Sequence, residues 1–154
     1  MSEHRATIRW QFSGGDFVKG RFSREHTWTF DGGAAVPASP SPSIVPTPFS
    51  NPEGVDPEEA FVASISSCHL LTFLYLASKA GFEIQSYEDE AVGTMAKNDK
   101  GVPCVSAVVL KPRIVYAGEK RPSSAEEDRL HHDAHEQCFI ANSVKTDITV
   151  DRSA

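Results

Sequence analysis

Asp56 to Cys68 reads DPEEAFVASISSC, and this stretch decides the fold. Asp56 is placed to cap a helix, and Pro57 suits the first helical position because its missing N–H would be unpaired there anyway. Glu58 and Glu59 then set negative charge at the positive end of the helix dipole. No Asp, Glu, Lys or Arg follows until Lys79, and Gly81 supplies a stop, so one long helix is predicted with Cys68 near its middle. Such a run is also long enough to span a membrane. Ser64, Ser66, Ser67, Cys68, His69 and Thr72 spread polar groups along it, however, and no basic cluster flanks it to orient insertion. The expectation is a core helix, buried on nearly all sides within one chain or a dimer.

Upstream, Ala6, Ile8, Trp10 and Phe12 alternate with polar residues, which predicts a strand over Arg5 to Phe12. Gly14, Gly15 and Asp16 form a turn, Phe17 to Phe22 reads as a second strand, and His26 to Phe30 as a third, ending at Asp31, Gly32 and Gly33. Pro37, Pro40, Pro42, Pro46, Pro48, Pro52 and Pro57 crowd the next segment, so residues 34–56 are expected to form a proline-rich wrapping loop anchored by Ile44, Val45 and Phe49.

Downstream of the helix, Ala91 to Met95 and Val105 to Tyr116 read as two strands joined around Asn98 to Pro103. Pro122, Ser123 and Ser124 open a second helix, with Glu126, Glu127 and Asp128 in its first turn, running to about Cys138; Val144 to Val150 closes the chain as a strand. The expected order is βββ-α-ββ-α-β in a single α+β domain, 1–154.

Composition excludes several classes. The 154 residues are 40% hydrophobic and 23% charged, as in ordinary globular chains. The formal net charge of -6, with no run of Lys or Arg, argues against nucleic acid as a partner. His4, Arg5 and Arg9 have no apolar stretch behind them, so no secretory signal is expected and the cytoplasm is the expected location, with no membrane partner. Cys68, Cys104 and Cys138 cannot all pair within one chain, which turns attention to catalysis, metal binding or redox sensing.

Cys104, beside Pro103, reads as a small half-buried residue. Cys68 lies in apolar surroundings, where burial alone raises a thiol pKa; reactivity needs a cation, and Arg21 and Arg24 are the candidates. The residues alone leave Cys68 open between an inert thiol and a nucleophile, and leave each arginine open between that role and a surface pairing with Glu25 or Asp16. A rival constellation is His131 and His135, one turn apart, with Cys138 and conceivably Cys68 as metal ligands. Against it stands a helix face on which His131, His132 and His135 are simply solvated. His69 reads as a packing or interface residue.

DPEEAFVASISSC resembles the helix-opening motif of the OsmC/Ohr family of hydroperoxide resistance proteins, and HEQCFIANSVKTDITV, His135 to Val150, resembles that family's second cysteine and closing strand. The resemblance implies an intertwined homodimer that reduces organic hydroperoxides, or hydrogen peroxide, without a cofactor. It implies Cys68 as the peroxidatic and Cys138 as the resolving cysteine, Glu58 as the motif carboxylate, and Arg24, with Arg21 as second choice, as the activating cation. An external dithiol, lipoyl by family precedent, would return the enzyme to its reduced state. One departure is that Phe139, Ile140 and Ala141 follow Cys138, where many relatives have proline, so the helix has scope to continue. Glu58 and Cys68 are separated by about 15 Å of helical rise, which points to a composite site with Glu58 supplied by a partner chain. The alternative within the same fold is a redox sensor or ligand-binding module whose cysteine reacts without turnover.

Overall fold

The computed structural model describes residues 1–153, which fall into two compact units, one up to Ala60 and the other from Phe61 onward. In the first, β1 (Ala6–Arg9), β2 (His26–Phe30) and β3 (Ala35–Ala38) form an antiparallel sheet in that order, with Ile8 opposite Trp28 and Trp28 opposite Val36. The strand expected over Phe17 to Phe22 does not form. Only Asp16 and Arg21 bridge there, around a turn in which Gly20 donates to the Phe17 carbonyl. Gly15, at φ +104°, permits this tight reversal: a Cβ there would lie 2.1 Å from the Arg21 carbonyl oxygen. The rings pack together instead of lining a sheet, Phe17 stacking on Phe22 at 4.5 Å and Trp10 meeting Phe12, Phe17 and Phe22.

The third strand comes from the start of the segment expected to be all loop. Pro37 is tolerated in β3 because that strand is the sheet edge, where a missing donor breaks no inner ladder. The rest of the segment is turns, pinned where Asn51 donates to the Ser39 hydroxyl and Val55 to the Pro37 carbonyl.

Helix α1 (Pro57–Lys79) starts as its sequence dictates: Glu59 N–H donates to the Asp56 carboxylate, and the Glu59 carboxylate accepts from Asp56 N–H. Its course from Phe61 onward belongs to the second unit. There β4 (Glu83–Asp89) pairs antiparallel with β7 (Pro112–Ala117), while β5 (Val92–Lys97) pairs antiparallel with β6 (Pro103–Leu110) and β8 (Asp147–Val150) runs parallel to β6. The expected strand over Val105 to Tyr116 is thus two, broken at Lys111, whose N–H leaves the ladder to donate to Asp89 at 2.6 Å. The order becomes βββ-α-ββββ-α-β.

Helix α2 (Ser124–Gln137) opens with a full capping box between Ser123 and Glu126. Every fourth residue of α1, at Ile65, His69, Phe73 and Ala77, is buried. Phe73 and Ala77 meet Phe82, Leu130 and Ala134, while Ile65 packs on Val108 and Leu110. The opposite stripe is open: Leu71 is 64% and Tyr75 58% exposed, and Ser67 is exposed beside them. A helix buried on nearly all sides is therefore not what one chain provides. Within the second unit, α2 and the strands cover the face that carries Ile65, His69, Phe73 and Ala77.

Candidate active site

α1 and the end of α2 bring Cys68 and Cys138 together. Cys68 is half-buried and Cys138 is 1% exposed; both are free thiols, near enough for Cys68 to act on the titration of Cys138. The helix does not continue past Cys138 as Phe139 to Ala141 allowed. Cys138 is its C-cap, with φ -68° and ψ 120°, and a short 3-10 turn over Ala141–Ser143 follows. The Asn142 side chain donates to the carbonyls of Glu136 and Cys138, and Ala141 N–H points at Sγ of Cys138 at 3.4 Å. Burial pushes the Cys138 thiol up to about 11; its contact with Cys68 acts in the same direction, and the Ala141 and Ile140 N–H groups oppose both. On α1, Thr72 donates to the Cys68 carbonyl, and Ser66 donates to Asp89 at the end of β4, anchoring the turn before the cysteine.

Beside the thiols lies a second pair. Nε2 of His69 is 3.0 Å from Nδ1 of His131, with the rings 7° from coplanar, and the His131 ring stacks on Phe73 at 4.4 Å. His131 is therefore no member of a solvated face: it is 3% exposed, turned inward because α2 has too few apolar residues to fill this part of its inner stripe. Burial holds both imidazoles neutral. His69 is lowered to about 4, with His135 assisting and Asp89 opposing, and His131 to about 3, with His69 and Arg152 assisting and Asp128 opposing. No three His, Cys, Asp or Glu side chains among the described residues are grouped to hold a metal ion.

The remaining sequence-predicted residues lie in the first unit. Arg24 is half-buried: its Nη1 donates to the carbonyls of Gly20 and Phe22 at 2.7 Å each, and the guanidinium lies 3.8 Å from the Phe22 ring centroid. Arg21 is exposed and takes part in the Asp16 bridge through its backbone. Glu58 is half-buried in the first turn of α1, and among the described residues no ion pair joins it to either arginine.

A family model described as OsmC-like protein matches residues 50–153. This chain belongs to the OsmC-like family. An OsmC-like protein of unknown function from Vibrio cholerae is 48% identical, with 98% of this chain and 99% of that one covered at a TM-score of 0.95. More distant OsmC-like folds include the organic hydroperoxide resistance protein OsmC of Legionella pneumophila, at 15% identity, coverages of 98% and 98%, and a TM-score of 0.68. The organic hydroperoxide resistance protein OhrB of Bacillus subtilis follows at 20% identity, 97% of each chain and a TM-score of 0.63. No curated protein matches the chain.

Two features of this OsmC-like site escaped the sequence reading. The imidazole pair joins residues 62 positions apart, with no spacing signal to announce it. An open groove of about 490 Å³ is lined by Leu71, Thr72 and Tyr75 of α1 and by Gln137 and Phe139, which flank Cys138. Its sequence signal was Phe139, directly after the second cysteine.

Proposed function

We propose that this chain is a thiol peroxidase reducing organic hydroperoxides, with hydrogen peroxide as the smaller competing substrate, in oxidative stress defence. The carrying observation is the proximity of two free thiols, Cys68 inside α1 and Cys138 at the cap of α2. In this reading the Cys68 thiolate attacks the distal peroxide oxygen. The O–O bond breaks, an S–O bond forms, and the alkoxide leaves and takes a proton to become the alcohol. Cys138 then displaces hydroxide from the sulfenic sulfur: the S–S bond forms, the S–O bond breaks, and water carries off the Cys138 proton. A dithiol reductant, of lipoyl type by family resemblance, returns both thiols by exchange and is itself oxidised to a disulfide.

Cys138 starts within reach and is kept protonated by its burial, so it waits for the sulfenic acid instead of competing for peroxide. The apolar groove walled by Leu71, Tyr75 and Phe139 includes Thr72, which bonds the Cys68 carbonyl, and the residues either side of Cys138, and suits the carbon tail of an organic substrate. The open stripe of α1 suits a second copy of the chain, giving a homodimer in which Glu58 from one protomer orients Arg24 beside the other's Cys68. Free cysteines accord with residence in a reducing cytoplasm.

Steady-state consumption of cumene hydroperoxide and hydrogen peroxide with dihydrolipoamide decides the matter. Many turnovers per Cys68, lost in Cys68→Ser and faster with the organic substrate, are expected. One equivalent consumed per thiol would make the protein a sensor, and full activity in Cys68→Ser would remove the assignment.

A further inference from the structure

His69 and His131 are buried titratable groups that the peroxide chemistry leaves unused. Each sits on a helix that also positions a cysteine: His69 directly follows Cys68 on α1, and His131 lies about two turns before Cys138 on α2. The helices therefore approach at two places, at the bonded imidazoles and near the two thiols. A directional contact fixes how far a helix is rotated about its own axis more sharply than apolar packing alone. From α2, Leu130 and Ala134 fill space in the core, and Tyr116 and Arg152 bond Glu127 and Asp128 near the start of the helix, away from its cysteine end. The His69–His131 bond is directional, held at 3.0 Å between nearly coplanar rings with Phe73 against the face. About 20° of rotation would swing a side-chain atom ~5 Å from the helix axis by about 1.7 Å, which is comparable with a whole S–S bond length.

The arrangement also carries a cost that packing alone would avoid. In the neutral pair one ring donates and the other accepts, and Nε2 of His131 is then left in the core without a partner. A phenylalanine at position 131 would stack on Phe73 and bury no bare nitrogen. What the histidine adds is the bond through Nδ1.

We propose that the His69–His131 hydrogen bond is a positioning device that holds α2 at the rotation where the Cys138 thiol meets Cys68, so that the pair closes to a disulfide without repacking the core. The inference rests on reading Cys68 and Cys138 as a redox pair, and is independent of whether a hydroperoxide is their oxidant.

The test is equilibration of the full chain with mixtures of reduced and oxidised glutathione, scored by intact mass. One oxidised glutathione accepts two electrons and the two thiol protons, leaving as two reduced molecules while the Cys68–Cys138 bond forms. His131→Phe should shift this equilibrium toward the dithiol by about three- to tenfold, with more glutathione trapped on Cys68. His131→Asn, whose amide reaches the place of Nδ1, should stay within about twofold of wild type. His69→Phe and His69→Gln run the same contrast from α1, so a variant that fails to fold leaves the other pair to decide. A wild-type equilibrium in folded His131→Phe, or equal losses in the phenylalanine and amide variants, overturns the proposal. A chain that ignores hydroperoxide yet shows the predicted shift keeps the positioning role and loses the peroxidase.

Discussion

Arg24 and Cys138 show two opposite ways of preparing a chargeable group. Arg24 is a guanidinium held from several sides, with Nη1 bonded to two carbonyls of its own loop and the plane laid on Phe22. Nε and Nη2 have no partner among the described residues, so a fixed cation still has donors to offer an anion. Cys138 is denied its charge. It is buried at a helix end, pushed up by desolvation, and supplied with only weak help from neighbouring N–H groups. One unit of the chain fixes a positive charge and the other suppresses a negative one. The proposed peroxidase chemistry calls for both: a cation for the thiol that attacks first, and a neutral second thiol that waits.

Substituting the cation breaks this contrast most severely. Arg24→Ala should slow oxidation of the Cys68 thiol by cumene hydroperoxide about 100-fold, the usual cost of removing a preorganised charge partner, measured by stopped-flow on the reduced protein. Arg24→Lys should recover only part of the rate, because a point charge on a flexible stem cannot take both carbonyls and the ring together. A rate unchanged in Arg24→Ala would mean that its bonding serves the loop alone.

The second expected effect concerns the suppressed charge. If Cys138 resolves as a thiolate, disulfide formation after the peroxide step should speed up about tenfold per pH unit from neutrality and level off near the folded pKa. A plateau already present at neutral pH would show that Cys138 is not held protonated. Stability moves the other way. The folded pKa is raised from the ordinary 9.0 to about 11, so this thiol's contribution is fully present below 9.0 and is lost as the pH climbs through 11. Cys138→Ser should flatten that alkaline decline in chemical denaturation.

How much of this was legible in the sequence varied with the kind of interaction involved. The start of α1 was readable because capping is local: Asp56 and Glu59 are three residues apart and satisfy each other's backbone. β4 was missed because Glu83 to Asp89 is largely polar, and its strand state comes from pairing with β7, a partner invisible to a local window. Phe17 to Phe22 misled because aromatic residues favour strands on average, whereas here the rings satisfy one another around a glycine turn. The nearness of Cys68 and Cys138 was expected only by resemblance, since no spacing rule brings a mid-helix residue near a cap 70 positions away. The imidazole pair has the same long-range character and no motif to compensate.

The smallest expected effect sharpens the choice between the two arginines. Arg21 shares the loop with Arg24, but its side chain is exposed, and its structural contribution is made by backbone atoms: its N–H donates to the Asp16 carbonyl and its carbonyl accepts from Asp16 N–H, both at 2.8 Å. Alanine keeps those two bonds and the bridge they close. Arg21→Ala should therefore leave Cys68 oxidation within about twofold of wild type, the range expected when an exposed side chain without structural bonds of its own is removed. The comparison with Arg24→Ala under identical conditions separates position from charge, because both substitutions remove one cation from the same loop and change the net charge equally. If both slow the reaction alike, the loop acts through its overall field. If Arg24→Ala alone is slow, the effect belongs to a guanidinium held at one place. If Arg21→Ala proves the slower, the cation that matters is the mobile one, and the bonds that fix Arg24 serve the fold.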